Sequence, residues 1–423
     1  MLFSTEKPEK YYYTSNNIFE QSIDVYRPTA TAIENKSGTT NAVVALVVGS
    51  AWLGHRSFVY SPTSWWNSSG PKSISELGHV CICIRHRGSF MKALSILTLV
   101  FVVAMSLLIM AFINTWINYA DPAVLSSWVR TLESMLGEEI IRQEVVFILL
   151  FATGLLLIQL GGVGAAKYDD MTHDVMTALK FIDTNSDKLG LKCCGEHEQS
   201  NPDAKSSKKR LFIFGGYSSG GHVASVVTQN NKLWNDYGLA PPHLHCDCLL
   251  FISPVLATKS YHEVVLKKIS SLSSTTSLPS LSPSDTGSSE HQILTQQSSS
   301  SSSTDLSSLA SSYVSSSYSP TWLTDQVVKA VFGQQASNIP SPVHTYDKSP
   351  PIPHIFLGCK NEMFGLNWLD TFFASPSYSE LIASMGIESR YTAVQSDHWN
   401  ILASNELRDH LRKELKRIGG KGQ

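Results

Sequence analysis

Charged residues are scarce in this sequence, and neither sign is in excess. Asp, Glu, Lys and Arg make up 16% of the 423 residues, compared with about 25% in typical soluble domains. The 33 basic side chains are balanced by 35 acidic ones, and no basic stretch is interleaved with aromatic residues. This composition excludes a typical nucleic-acid-binding protein.

Cysteine is also sparse. Seven cysteines, an odd number, do not make the disulfide framework of a small secreted domain. Cys81 and Cys83 alternate along an apolar stretch typical of a buried strand, which favours free thiols in a reducing compartment. Residues 1–17 are polar and rich in tyrosine, and they lack the basic, apolar and small-residue order of a secretory signal peptide. We interpret them as a polar tail.

Short apolar runs recur along the chain and alternate with helix-like stretches. Runs of this length without polar positions are typical of strands buried on both faces of a parallel sheet. Their alternation with helices predicts an α/β fold with a mainly parallel sheet. The runs are residues 43–48, 80–84, 211–214, 248–252 and 354–357.

Two longer uncharged segments do not fit a soluble fold. Residues 93–113 contain no charge, and in residues 145–166 Gln159 is the only strongly polar side chain. A bilayer core needs about 20 apolar residues as a helix, and neither segment has the polar face that a lid helix over a cleft would show. We therefore predict a two-pass transmembrane hairpin, 93–166, with residues 114–144 as its loop.

Basic residues predict the orientation of this hairpin. Arg85, Arg87 and Lys92 precede the first segment and Lys167 follows the second, whereas the loop carries five acids against two arginines. The positive-inside rule therefore puts the α/β domain of this integral membrane protein on the cytosolic side. We expect the membrane to be the endoplasmic reticulum or another endomembrane.

A serine-rich tract interrupts the second half of the chain. In residues 270–320, 24 of 51 residues are serine, and such a segment buries too little apolar surface to offset its ordering entropy. We predict that it is a disordered insertion. The α/β core is then divided into residues 18–92, 167–269 and 321–423.

A G-x-S-x-G pentapeptide is the strongest chemical signal. It occupies residues 216–220, directly after an apolar run, and residues 223–227 continue as a helix-like stretch. A nucleophilic serine sits on such a sharp strand-to-helix turn, where a Cβ at the flanking glycines would clash with neighbouring backbone. We predict that Ser218 is a nucleophile and that the neighbouring Ser219 supplies a backbone N–H to an oxyanion.

The other members of a catalytic triad are expected later in the chain, the acid before the histidine. Glu362 lies on the loop after the run 354–357, and His398 on the loop before the last helix. We predict that His398 takes the serine proton and that Glu362 fixes the histidine tautomer. Asp397 and Asp370 are the weaker alternatives for the acid.

The loop after the first apolar run is small and carries glycine, as an oxyanion-binding loop requires. The amide groups of Ser50 and Ala51, with that of Ser219, are the predicted donors. Trp52 and Tyr217 flank these positions and are predicted to line the substrate pocket. The alternative interpretation is an ordinary turn at the end of a strand.

With these motifs, the sequence resembles the α/β-hydrolase superfamily, in particular a carboxylesterase-like branch that includes feruloyl-esterase-like proteins, kynurenine formamidase and prenylcysteine methylesterase. Residues 24–28 (DVYRP) are similar to the D-x-Y-x-P opening of that branch. Residues 48–52 (VGSAW) are similar to its H-G-G-[GA]-W oxyanion motif, and residues 216–222 (GYSSGGH) to its G-x-S-x-G-G-H elbow. The resemblance implies an α/β-hydrolase fold, interrupted here by the hairpin and the serine-rich insertion.

The sequence departs from that pattern in two motifs and in the hairpin itself. Val48 stands where the branch has histidine, and Ser50 where it has the second glycine. Glu362 stands where the acid is more usually aspartate. The hairpin replaces a short loop and is not part of the general pattern.

The sequence thus predicts a membrane-anchored serine hydrolase that cleaves an ester of a hydrophobic or lipid substrate, without metal or organic cofactor. A zinc site at residues 243–248 is disfavoured because its C-x-C spacing is tighter than that of zinc sites. Two alternatives stay open: a catalytically inactive membrane scaffold or binding protein with this fold, and an acyltransferase. The expected partners are a small-molecule or lipid ester and membrane lipid, not nucleic acid, and no oligomeric state is predicted.

Overall fold

The chain is described here from a computed structural model. The described residues are 8–17, 21–29, 32, 42–50, 52, 65–88, 166–191, 211–259, 328, 332, 338–362, 373–398 and 400–421. The two predicted membrane segments lie outside them except for Ala166, and so do the loop 114–144 and the serine-rich tract 270–320. Within the described ranges, no helix has both the length and the apolar character needed to cross a bilayer.

In the described part of the chain, eight strands form one sheet in the order β1-β2-β4-β3-β5-β6-β7-β8. The pairs from β4 and β3 through to β8 are all parallel, whereas β1 and β2 are antiparallel to their neighbours. The predicted mainly parallel sheet is therefore confirmed. The strands are β1 Glu9–Tyr12, β2 Ser22–Tyr26, β3 Ala42–Val47, β4 Val80–Ile84, β5 Leu211–Tyr217, β6 Cys248–Ile252, β7 His354–Asn361 and β8 Ser389–Asp397.

Helices cover both faces of the sheet. Helices α1 and α7 pack on one face, and α2, α3, α4 and α6 on the other. Two short 3₁₀ helices, Pro342–Lys348 and Ile401–Ala403, join the larger elements. The α-helices are α1 Trp65–Glu76, α2 Tyr168–Thr184, α3 Ser219–Thr228, α4 Asn231–Asp236, α5 Pro242–His245, α6 Ser375–Ala383 and α7 Asn405–Lys421.

The continuous apolar strands divide their side chains between these two layers. Along β3, Val43, Ala45 and Val47 face one hydrophobic cluster, while Val44 and Leu46 face the other. Successive strand residues point to opposite faces, so a strand covered by helices on both sides needs an apolar residue at every position. All six residues of β3 are buried.

The N-terminal segment differs from the prediction, because part of the proposed polar tail is strand β1. Polar residues predominate in β1 because it is the edge strand, paired only with β2. Its Lys10 reaches the buried carboxylate of Asp24, 2.7 Å away, and Arg85 pairs with the same carboxylate. Asp24 of the D-x-Y-x-P motif thus serves as the centre of a buried ion-pair network, since a buried charge requires partners.

The ends of strands β3–β8 meet on one side of the sheet, which we call the carboxyl end. The loops after β3, β5, β6 and β7 therefore converge there, as ligand-binding loops do in open parallel sheets. The chain also leaves β4 at this end and returns to begin α2. Across that gap Ala166 donates a backbone hydrogen bond of 3.3 Å to Gly88.

Candidate active site

Ser218 stands at the tip of a sharp turn between β5 and α3. Its φ of 55° and ψ of −129° are strained values for a residue with a side chain. Backbone hydrogen bonds hold it there: its N–H donates to Ile252, and its carbonyl accepts from Val255 at 3.1 Å and His222 at 3.3 Å. The sharp strand-to-helix turn expected from the pentapeptide is present, and the role of Ser218 as a nucleophile stays a prediction.

The two glycines of the pentapeptide are required by close approach of the backbone. A Cβ on Gly216 would lie 2.6 Å from carbonyl atoms of Gly220, and a Cβ on Gly220 would lie 2.3 Å from the carbonyl oxygen of Val47. No side chain fits at either position. The tight packing lets the start of α3 approach both β5 and the loop after β3.

His398 reaches the serine from the loop after β8. Its Nε2 lies 2.9 Å from Ser218 Oγ, which is hydrogen-bonding distance. The imidazole stacks on Tyr217, with ring centroids 5.3 Å apart, and packs against Phe373 at 4.8 Å. The Tyr217 hydroxyl also donates to the backbone carbonyl of His398 at 2.6 Å. These contacts fix both the loop and the ring plane.

Glu362 lies on the other side of the imidazole. Its Oε2 is 3.2 Å from His398 Nδ1, and its Oε1 accepts from the Cys359 amide at 2.9 Å. The His398 amide donates to the Glu362 carbonyl at 2.8 Å, so the two loops are joined by backbone as well. The structure therefore brings together the three side chains that the sequence suggested, and their catalytic role stays a prediction.

Ser253 is a further member of this cluster that the sequence reading missed. It directly follows β6, has a φ of 43°, and donates from Oγ to Glu362 Oε2. Ser253 Oγ is also 3.2 Å from His398 Nδ1. The signal available in the sequence was its position: a hydroxyl directly after a buried strand of a parallel sheet lies at the carboxyl end.

Asp397, one of the two alternative acids, has a different role in the structure. Asp397 accepts from the Asn400 amide at 3.0 Å and from its side chain at 2.6 Å, and so closes the turn after β8. Asp370 lies outside the described residues. Among the described carboxylates, Glu362 is the one hydrogen-bonded to His398.

The Ser50 amide, one of the predicted oxyanion donors, is directed at the Ser219 side chain and not at a substrate position, and the role of the Ser219 amide stays a prediction. The Ser50 amide donates to the side-chain oxygen of Ser219 at 2.9 Å, and the Trp52 amide donates to the same oxygen at 3.1 Å. Ala51 lies outside the described residues. Ser219 begins α3, where the first amide groups have no acceptor within the helix.

Trp52 and Tyr217, predicted to line a pocket, are both buried. The Trp52 indole N–H donates to His222 Nδ1 at 3.0 Å, and its ring packs edge-on against Phe332. Tyr217 supports His398 as described above. Both side chains therefore make supporting contacts around the site, and their contact with a substrate stays a prediction.

The two cysteines of the segment considered for zinc are part of the hydrophobic core. Cys246 and Cys248 are buried free thiols, and burial raises the pKa of both. A thiol must lose its proton to bind zinc, and burial in apolar surroundings opposes this. Within the described part of the chain, no cluster of three or more His, Cys, Asp or Glu residues is arranged to hold a metal ion.

Comparison with known proteins gives likenesses of fold only. No protein-family profile matches the sequence, and no curated protein sequence matches it. Among solved structures, the chain is similar to phosphonate-inhibited esterase B from Lactobacillus rhamnosis, with 10% identity and a TM-score of 0.49 over 98% of this chain and 87% of that one.

Two further structures give similar values. A hyperthermophilic esterase from Pyrobaculum calidifontis is 12% identical, with a TM-score of 0.42 over 95% of this chain and 79% of that one. A truncated carbohydrate esterase from gut microbiota is 11% identical, with a TM-score of 0.44 over 99% of both chains. At these scores the likenesses assign neither branch nor activity to this chain. The sheet order and the strand-to-helix turn between β5 and α3 agree with the α/β-hydrolase fold that the sequence resemblance implies.

Proposed function

We propose that this protein is a serine hydrolase that cleaves a carboxylic ester through an acyl-enzyme. One observation carries the proposal: Ser218 Oγ, on a strained strand-to-helix turn, lies 2.9 Å from His398 Nε2, while Glu362 lies 3.2 Å from the opposite ring nitrogen. A nucleophile, a base and a group that orients the base are the requirements of this chemistry.

The proposed reaction runs in two halves. Ser218 Oγ attacks the ester carbonyl while its proton passes to His398 Nε2, and Glu362 holds the Nδ1 proton on the far side of the ring. The tetrahedral intermediate collapses, its C–O bond to the alcohol breaks, and His398 returns the proton to the departing oxygen. A water molecule then attacks the acyl-enzyme while His398 takes its proton; the bond between the acyl carbon and Ser218 Oγ breaks, His398 returns the proton to Oγ, and the acid is released.

We further propose that the enzyme is anchored in a membrane by residues 93–166 and acts on a hydrophobic or lipid ester. The two apolar segments of the sequence support this. So does the backbone hydrogen bond between Gly88 and Ala166, because a chain that departs and returns at one point crosses a bilayer an even number of times. That point is at the carboxyl end of the sheet, as is Ser218, which favours a substrate presented by the membrane.

The activity is tested by labelling membranes that contain the full chain with a fluorophosphonate probe. Wild-type protein should be labelled, and Ser218→Ala and His398→Ala should each lose labelling by at least about a thousandfold in rate. Ser225→Ala is the matched control, since Ser225 is a buried serine of the same helix α3. A folded wild-type protein that is not labelled would leave the inactive scaffold as the better interpretation.

The remaining alternatives need separate measurements. Addition of a non-water acceptor alcohol during turnover distinguishes hydrolysis, which releases free acid, from acyl transfer, which releases a new ester. Extraction of membranes with alkaline carbonate tests the anchor: an integral protein stays in the pellet. Release into the supernatant would overturn the membrane part of the proposal and leave the esterase part intact.

A further inference from the structure

Two side chains in the first two turns of α3 contact the loop after β3. Ser219 and His222 are three residues apart, which places them on one side of the helix. Both are fully buried. Ser219 hydrogen-bonds to Ser50 and Trp52, and His222 to Trp52.

Ser219 binds the backbone of this segment. Its side-chain oxygen accepts from the amides of Ser50 at 2.9 Å and Trp52 at 3.1 Å. The segment lies directly on the elbow, since a Cβ on Gly49 would be 2.4 Å from the Tyr217 carbonyl oxygen. One hydroxyl therefore fixes two peptide groups of a loop that lies against the nucleophile.

His222 binds the same segment through the side chain of Trp52. Its Nδ1 accepts from the indole N–H at 3.0 Å, and its Nε2 lies 2.8 Å from the carbonyl oxygen of Pro340. Because a carbonyl only accepts, the proton is on Nε2 and Nδ1 is the acceptor. Burial lowers the pKa of His222 to about 4, which keeps this tautomer at neutral pH.

Trp52 needs these contacts because its backbone conformation is strained. Trp52 has a φ of 59°, which is unfavourable for a residue with a large side chain. Strain of about 1–3 kcal/mol persists only where surrounding contacts fix the backbone. The contacts to Ser219 and His222 supply them.

We propose that Ser219 and His222 are positioning residues that fasten Ser50 and Trp52 to helix α3 and thereby hold the start of that helix, with the Ser219 amide predicted to stabilise the oxyanion, in place beside Ser218. The inference rests on the proposed esterase function. Oxyanion stabilisation depends on donors fixed in advance, and a misplacement of about 1 Å costs on the order of a hundredfold in rate. The fastening also suits this sequence, in which Val48 and Ser50 depart from the histidine and glycine of the resembling motif.

The test compares Ser219→Ala, His222→Ala and His222→Asn with wild type, using a soluble short-chain ester and the detergent-solubilised full chain. We expect Ser219→Ala and His222→Ala to lower kcat about 10- to 100-fold with KM within about twofold. His222→Asn retains an acceptor near the position of Nδ1 and should recover part of the loss. Ser225→Ala is again the control and should keep the wild-type kcat.

A transition-state analogue separates positioning from general loss of structure. Affinity for a boronic acid, which forms a tetrahedral adduct with the serine, should fall in parallel with kcat/KM, while the acidic limb of the pH profile stays at the wild-type position. Wild-type kcat in Ser219→Ala and His222→Ala, or a loss confined to KM, would overturn the inference alone. Absence of hydrolysis by the wild-type protein would overturn the proposed function and the inference with it.

Discussion

At both ends of the sheet some connecting residues have a positive φ, but the residue types differ between the two ends. At the carboxyl end, Trp52, Ser218 and Ser253 follow strands β3, β5 and β6 with φ values of 59°, 55° and 43°. At the amino end, Gly78 and Gly386, which precede β4 and β8, have φ values of 83° and 78°. Among these connections, glycine adopts the left-handed backbone at the amino end, and residues with side chains adopt it at the carboxyl end.

This difference separates ordinary helix-to-strand turns from turns that hold residues of the candidate site. Glycine adopts positive φ without a steric penalty, so Gly78 and Gly386 are the expected way to end a helix before a strand. Tryptophan and serine pay about 1–3 kcal/mol at the same backbone angles. Trp52, Ser218 and Ser253 each hydrogen-bond within the candidate site, which gives a reason for a side chain at these strained positions.

Protonation of buried histidines gives the largest expected effect on stability. The loss should be equal for a histidine near the carboxyl end of the sheet and for one near its amino end. Burial lowers the pKa of His222, near the carboxyl end, and of His354, at the start of β7, to about 4 each. In the unfolded chain each histidine has a pKa of about 6.5. Between pH 4 and 6.5 the unfolded chain therefore binds more protons than the folded chain. Stability is therefore present above about pH 6.5 and is lost as the pH falls towards 4, by up to about 3 kcal/mol per histidine.

Chemical denaturation of the solubilised chain between pH 4 and 7 measures this loss. His354→Phe and His222→Asn should each flatten the pH dependence of the unfolding free energy. Only His222→Asn should also change kcat at pH 7.5. An unchanged pH dependence in both variants would show that these histidines are not the groups that titrate.

Ser253→Gly is expected to have a smaller effect, which separates strain from function at the carboxyl end. Loss of the hydroxyl removes the hydrogen bond to Glu362, and we expect kcat to fall about tenfold, as for loss of one hydrogen bond to a charged group. Glycine relieves the backbone strain, so Ser253→Gly should be about 1 kcal/mol more stable than Ser253→Ala. Steady-state kinetics and thermal unfolding of the two variants provide both values.

The pair of variants is informative because alanine and glycine lack the same hydroxyl. Equal losses of kcat in both would assign the effect to the missing hydrogen bond. Wild-type kcat in Ser253→Gly would instead mean that Ser253 has only a structural role next to the triad.

Gly386→Ala gives the smallest effect and tests the amino end. A Cβ at Gly386 would meet no atom within 4 Å, so the only penalty is the backbone angle itself. We expect a loss of about 1 kcal/mol in stability, seen as a fall in Tm of about 2–4 °C, with kcat unchanged. A Tm equal to that of wild type would show that positive φ is not costly here, which would weaken the comparison.

Features encoded in consecutive residues were predictable from the sequence. The continuous apolar runs gave the parallel strands, and the pentapeptide at 216–220 gave the elbow because its glycines are needed by local geometry. Chain order then suggested Glu362 and His398, which the structure brings beside Ser218. These inferences needed no knowledge of how distant segments pack.

The remainder depended on contacts between distant segments. The hydroxyl of Ser219 accepts from amides about 170 residues earlier in the chain, and no local pattern indicates such a bond. Ser253 is one serine among many until the loop after β7 is folded against it. Strand β1 was missed because an edge strand lacks the apolar pattern of the central strands.

The hydrogen bond between Gly88 and Ala166 has a practical consequence for the architecture of the chain. Two backbone positions so close can be joined by a tight turn, so residues 89–165 are topologically an insertion into a complete sheet. The strands described above and the three residues Ser218, Glu362 and His398 all lie outside this stretch in the sequence. In evolutionary terms, a segment can be gained or lost at this position as a unit while the sheet and the cluster of Ser218, Glu362 and His398 stay the same.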